Sequence, residues 1–174
     1  MRLRKKRIEH LVNGILDKCG VTSPPVPVKR IAQSLGLEIQ KQAFGDEVSG
    51  ILIREGAKAI VGVNLSHHIH RQRFSIAHEL GHFLLHEGDR IFIDRSYNVN
   101  LRSPTSSLGT DLEEIEANIF ASVLLIPEQF LAKDLEKEDI DIADPREIGK
   151  IQRLAHRYRV SPQAMSLRLL NRIQ

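Results

Sequence analysis

Cysteine is nearly absent from this chain of 174 residues: Cys19 is the only one, so no disulfide can close within it. That agrees with a reducing compartment, and a lone thiol of this kind reads as a small, partly buried hydrophobe before it reads as a nucleophile. Long apolar runs are lacking too. None approaches the ~20 residues that a membrane-spanning helix requires. The basic start, with Arg2, Arg4, Lys5, Lys6 and Arg7, leads into Ile8-Glu9-His10-Leu11 and so lacks the unbroken apolar segment of a secretory signal. These absences predict a cytoplasmic protein. No internal repeat or low-complexity tract stands out, which removes repeat arrays and tethers from consideration. What is present, 41% hydrophobic and 27% charged residues, is the balance of an ordinary globular domain. The length suits one full-sized domain or one domain with a small appendage. The formal net charge of +3 permits a nucleic-acid or acidic partner without requiring one, and much of the excess sits in the N-terminal cluster.

Apolar residues Ile8, Leu11, Val12, Ile15 and Leu16 recur at helical spacing over 6–18, and Gly20 is placed to end that helix. Pro24, Pro25 and Pro27 forbid its continuation. A short helix is expected over 28–35, then extended segments over 37–40, 49–54 and 59–63. Glu55-Gly56 forms a hairpin turn between the last two, giving a small, mainly antiparallel sheet. A long central helix over 71–86 carries Phe74, Ala77, Leu80, Gly81, Leu84 and Leu85 on its apolar side. Residues 91–93 are a candidate strand, and 96–110, rich in Ser, Asn, Pro and Gly, a long loop that could face substrate. Asp111 is placed to cap a helix over 112–125, and a polar segment spans 133–144. Helices over 148–158 and 162–173 follow, joined by Arg159-Val160-Ser161, with Ser161 as cap and Pro162 in the first helical position. The fold class is α+β. Residues 1–130 form the main domain, and 131–174 a helical segment packed on it.

The chemistry lies on two of these helices. His78 and His82, four apart, point the same way and can offer an imidazole nitrogen each to one cation. Glu79 is near enough to reach a water on that cation without ligating it. Zinc lowers the pKa of a bound water to ~7, so a carboxylate beside it can take the proton during attack on an amide and return it to the leaving amine. A catalytic zinc site needs a third protein ligand. The segment Glu113-Glu114-Ile115-Glu116 supplies candidates, of which Glu114 is preferred and Glu113 second. Glu114 shares a helix face with Asn118, which could orient a ligand. Manganese or iron would also accept this donor set.

The stretch from Arg73 through His78-Glu79-Leu80-Gly81-His82, with Glu114-Ile115-Glu116-Ala117-Asn118 and Leu124-Leu125-Ile126-Pro127, resembles the ImmA/IrrE family of metallo-endopeptidases. Pro25, Ile31 to Gly36, Ser49-Gly50 and Val160 to Met165 with Arg168-Leu169 extend the resemblance over most of the chain. Ser75 stands where the family commonly has Thr, and Ile126 where it has Met. The resemblance implies a zincin-like fold, with His78, His82 and Glu114 as zinc ligands and Glu79 as general base. It also implies a bacterial regulatory protease that cleaves a helix-turn-helix repressor, often encoded beside it, and so relieves repression. The additional C-terminal sensory domain of some members has no room here, so a signal would enter another way.

Other features compete for attention. His67, His68 and His70 read as a solvated turn leading into the metal-bearing helix, and His86 as a residue at the rim of the site. Tyr97 and the three clustered histidines are candidate donors to a tetrahedral oxyanion. The C-terminal helix pair, with Arg153, His156, Arg157, Arg159, Arg168 and Arg172, has the look of a helix-turn-helix. That supports an alternative: a DNA-binding or repressor-sequestering regulator with a non-catalytic metal site. Leu154, Val160, Met165 and Leu169 are explained more simply as packing on the main domain.

Overall fold

The amphipathic N-terminal segment forms helix α1 (Arg2–Lys18) in the computed structural model, which describes residues 2–45, 47–55, 58–87, 91–95, 108–137, 140 and 144–173. It begins four residues before the expected start at residue 6, since Arg and Lys are good helix formers and Arg4, Lys6 and Arg7 stand exposed. Its end is set by Gly20 at φ 64°. There the Gly20 and Val21 N–H groups donate back to the carbonyls of Asp17 and Leu16 at 3.1 and 2.9 Å, a left-handed closure that glycine enters without strain. Helix α2 (Val28–Ser34) follows the proline-interrupted segment and buries Val28, Ile31 and Ala32.

Strands β1 (Leu37–Gln42), β2 (Val48–Glu55), β3 (Lys58–Asn64) and β4 (Ile91–Arg95) form one sheet in the order β1-β3-β2-β4. β2 runs antiparallel to both β3 and β4, whereas β1 is parallel to β3. The mainly antiparallel sheet expected from the sequence is present, with that one exception. The β2–β3 hairpin folds β3 into the gap beside β1, so β1 meets the strand that points its own way. Ala59, Val61 and Val63 bury one face of β3 at the period of two that a strand imposes. Asn64 closes β3 from full burial. Its Nδ2 donates to the carbonyls of Gly45 and Val48 at 3.2 and 2.8 Å, and its Oδ1 accepts from the Ser66 N–H at 3.0 Å. The β1–β2 connection is thereby tied to the segment that feeds the next helix.

Helix α3 (Ile69–Leu85) starts two residues before the expected position because His68 caps it, its Nδ1 accepting from the His70 N–H at 3.2 Å. Helix α4 (Leu108–Leu125) takes in residues 108–110 of the expected loop and carries Asp111 inside its first turns, not at its cap. An acidic side chain is favourable throughout the first turn of a helix, so this signal locates the start only to within a turn. Residues 96–107, with Tyr97, lie outside the described residues, as does Gly56 of the hairpin turn. Helix α5 (Glu128–Leu135) was not anticipated; it buries Phe130 and Leu131. A short 3-10 turn, Pro145–Glu147, leads into α6 (Ile148–Tyr158), and α7 (Pro162–Ile173) ends the chain. The Ser161 Oγ accepts from the Ala164 N–H at 3.1 Å, as a cap should.

One core joins all of this. Val12, Leu16, Ile31, Leu52, Val61, Leu80, Phe120 and Leu124 belong to the same buried cluster as Tyr158, Met165 and Leu169 of α6 and α7. The Tyr158 hydroxyl donates to Asp134 at 3.0 Å, and burial followed by that carboxylate pushes its pKa well above the ordinary value. The guanidinium of Arg168, also buried, donates to the Ile126 carbonyl at 3.1 Å and pairs with Glu128 at 3.2 Å. Among the described residues no single helix is long and apolar enough to cross a membrane.

Candidate metal centre

Every residue of α3 from Ser75 to His82 is buried, because the sheet covers one side of the helix and α4 the other. Gly81 sets how closely the two helices approach. A Cβ there would stand 3.2 Å from the Ala117 Cα and 3.2 Å from Phe120, a tight approach that would oblige one of them to give way. Glu114, just under one turn before Ala117 on α4, is thereby brought opposite the two histidines of α3. The distances are 3.0 Å from His78 Nε2 to His82 Nε2, 3.4 Å from His78 Nε2 to Glu114 Oε2 and 3.2 Å from His82 Nε2 to Glu114 Oε1.

That arrangement can be tested against a metal directly. A tetrahedral zinc with ligands near 2.0–2.1 Å has ligand-to-ligand edges of about 3.3 Å. The 3.0 Å between the two imidazole nitrogens is close to one such edge, and the Glu114 carboxylate spans the pair, with one oxygen 3.4 Å from His78 and the other 3.2 Å from His82, so all three side chains can reach one cation. The donor chemistry fits as well, two imidazole nitrogens and one carboxylate converging within 4.8 Å of one another.

The electrostatics favour the protonation states that a cation needs. Burial holds His82 below the ordinary histidine range, against the pull of the Glu114 hydrogen bond, and His78 lowers it further. Burial alone would raise the Glu114 carboxyl, but the hydrogen bonds from His78 and His82 prevail and bring it to about 2. A neutral His82 imidazole beside an ionised Glu114 carboxylate is the state that offers lone pairs to a metal.

Glu79 lies on a different side of α3, facing β2 and fully buried. Gly50 makes the room: a Cβ at that position would fall 2.6 Å from Glu79 Oε1. The strand is irregular at the same point. β2 pairs Val48 with Arg95 and Gly50 with Asp94, so Ser49 is one residue too many and forms a bulge beside the carboxylate. Ser49 Oγ accepts from Arg71 Nη2 at 3.0 Å, which ties the bulge to the first turn of α3. Further along β2, Arg54 Nη2 donates to the carbonyls of His82 and His86 at 2.8 and 3.1 Å. It thus satisfies the open C-terminal end of the helix that carries both histidines.

The other candidates separate clearly. Glu113 stays out of the His78, His82 and Glu114 group, and its backbone carbonyl lies 3.2 Å from His86 Nε2. His86 follows the end of α3 at the rim, with Nδ1 3.9 Å from Glu116. Asn118 is half-buried and makes no hydrogen bond with another described residue, so the structure gives no contact through which it would orient a ligand. His68 and His70 belong to the far end of α3; the eight residues from His70 to His78 correspond to about 12 Å of helix. In the C-terminal pair, Arg157 is held by Asp134 at 2.8 Å, and Arg168 and Arg172 by Glu128 at 3.2 and 2.6 Å, which ties much of the basic charge to the protein itself. Sequence reasoning did not reach Arg54 or the Ser49 bulge, and it met Gly50 only as part of the family resemblance. No spacing rule links residue 50 or 54 to residues 79 and 82.

Comparison with known proteins agrees with this geometry. The family model described as the IrrE N-terminal-like domain matches residues 32–170, a span that holds both helices of the site. Metallopeptidase ImmA of Bacillus subtilis is 28% identical over 130 residues, which is 75% of this chain and 69% of that protein. The chain belongs to the ImmA/IrrE family and is a metallo-endopeptidase.

Proposed function

We propose that this peptidase uses zinc and cleaves a helix-turn-helix transcriptional repressor, so relieving repression. His78, His82 and Glu114 are the metal ligands and Glu79 the general base. The observation that carries the reading is the convergence of His78, His82 and Glu114 between α3 and α4, with a second, fully buried carboxylate next along the helix. Zinc held by these three ligands supplies Lewis acidity, which makes water a competent nucleophile near neutral pH and polarises the scissile carbonyl. Glu79 accepts the proton of the attacking water and passes it to the departing amine. Its full burial keeps bulk solvent from competing for that proton. Gly50 and the Ser49 bulge hold it in place from the β2 side.

The test is incubation of the purified chain with the repressor encoded beside its gene, in the presence of zinc or manganese, alongside Glu79→Ala. Discrete cleavage by the unaltered chain and a loss of about 10²–10⁴-fold in the variant are expected. Cleavage that survives Glu79→Ala, or repressor inactivation with no cut, would overturn the mechanism.

A further inference from the structure

At the end of α3 remote from the metal ligands a cleft of about 350 Å³ opens between four parts of the chain. Lys29 of α2, Lys41 of β1, His70 and Arg73 of α3, and His156 and Arg159 at the α6–α7 corner line it, and among the lining residues there is no carboxylate. Like charges gathered from four separate elements repel one another until an anion arrives. Arg73 is half-buried, and its guanidinium donates to the carbonyls of Val26 at 2.8 Å and Arg159 at 3.2 Å. Those dipoles aim the group and leave its full charge uncompensated. Among the described residues neither Lys29, Lys41, Arg73 nor Arg159 has an acidic partner. The local field is felt at His70, which burial and then His68, Arg73 and His156 hold below the ordinary histidine range.

The cleft is not purely ionic. Buried Val28 and Ile76 and half-exposed Ile69 give it an apolar side. Gln72, 94% buried, spends its amide Nε2 on the carbonyls of Leu65 and His67 at 3.3 and 2.7 Å, while its Oε1 has no hydrogen-bond partner. Cations beside an apolar wall describe a ligand with a phosphate and a flat or apolar body. A volume of 350 Å³ lies within the range of small-molecule sites.

We propose that this cleft binds a nucleotide-sized phosphate ester, with its phosphate among Lys29, Lys41, Arg73 and Arg159 and its body over Val28, Ile69 and Ile76. From Arg73 to His78 is about 8 Å along α3, so the ligand would not enter the metal coordination. It would instead brace the other half of the helix that carries two of the metal ligands, as an effector does. The inference stands whether or not the substrate is a repressor.

The test is calorimetric titration of the full, chelator-treated chain with ADP, inorganic pyrophosphate and adenosine, so that no bound metal competes for phosphate. ADP should saturate one site per chain at sub-millimolar concentration, pyrophosphate should bind more weakly, and adenosine more weakly still. Lys29→Glu with Lys41→Glu, both at exposed positions that the core does not depend on, should weaken ADP by at least about tenfold. Reversal at the exposed Lys18 and Lys133 should leave it within about twofold. Absence of saturable binding by ADP, or equal affinity in the Lys29/Lys41 variant, overturns the proposal. Pyrophosphate binding as tightly as ADP removes the apolar half of the site and overturns the nucleotide assignment. Duplex DNA binding that depends on Lys29 and Lys41, with no ADP binding, assigns the surface to nucleic acid instead.

Discussion

Adding a single methyl group at Gly50 tests the role of Glu79 without touching a charged residue. The new Cβ would lie 2.6 Å from Glu79 Oε1, 3.3 Å from its Cγ and 3.4 Å from its Cδ. Ordinary carbon contacts are about 3.5–4.0 Å, so the carboxylate must yield by roughly 1 Å. Glu79 is 0% exposed and has no solvent to swing into. Either its side chain rotates within the core or β2 retreats. Overpacking of this sort costs about 1–3 kcal/mol. Alanine returns about 0.4–1 kcal/mol through the smaller conformational entropy of the unfolded chain, so the net loss of stability is about 0–2.6 kcal/mol. Catalysis should suffer more: a 1 Å misplacement is worth about 10²-fold, or about 2.7 kcal/mol in the barrier. For Gly50→Ala we expect kcat/KM for repressor cleavage to fall about a hundredfold while one equivalent of metal is retained. Gly45→Ala, where an added Cβ meets nothing within 4 Å, should cleave normally. Full activity in a metal-replete Gly50→Ala protein, within about threefold of the unaltered chain, would refute the assignment of Glu79 as the positioned base.

Further expectations concern the metal and its supports. Glu114→Gln should weaken zinc by more than the ~10–100-fold typical of an outer-shell change, whereas Glu113→Gln should leave it nearly intact; competition with a chromogenic chelator distinguishes them. Arg54→Met removes both donors to the His82 and His86 carbonyls, and urea unfolding should show a loss of about 2 kcal/mol together with weaker metal binding. Unchanged stability would mean that water replaces the guanidinium at no cost. Acid should act on the metal-free chain in two windows. Below 6.5 the unfolded chain takes up a proton that native His82 resists, so stability falls as pH drops through its depressed native pKa. Between 4.5 and about 2 the same sign applies to Glu114, whose contribution is complete above 4.5 and lost as the carboxylate protonates. A urea midpoint that stays flat from pH 7 to pH 3 would contradict both.

The helix bearing His78 and His82 is legible in the chain because a buried amphipathic helix writes its period over four turns, and the donor spacing is part of that period. The hairpin of β2 and β3 is legible for a similar reason, since its turn residues interrupt an alternating pattern. The direction of β1 is not: a six-residue strand carries no mark of which neighbour it meets, and only the insertion of β3 beside it decides. Helix α5 is hidden by its brevity, with two buried residues in eight. Helical phase says only that one glutamate of the three can be well aimed; the preference for Glu114 over Glu113 comes from the face it shares with Asn118 and from the family resemblance. The choice rests in the structure on Gly81, whose missing side chain lets α4 come close enough for one carboxylate to reach both histidines. The basic cleft leaves the weakest trace of all, because its cations are scattered from residue 29 to residue 159 and converge only after folding.

The seam between α3 and α4 has a consequence for the cell as well as for catalysis. Its three candidate donors come from two helices apart in sequence, so a grip on a metal through them would exist in the folded chain and have no counterpart in the unfolded one. Metal at a thousandfold excess over its dissociation constant then adds about 4 kcal/mol to stability. That is a large share of the 5–15 kcal/mol that holds a typical domain together. Scarcity of the metal would withdraw this contribution and expose the chain to proteolysis. The amount of enzyme present, and not only its activity, would therefore follow the metal supply.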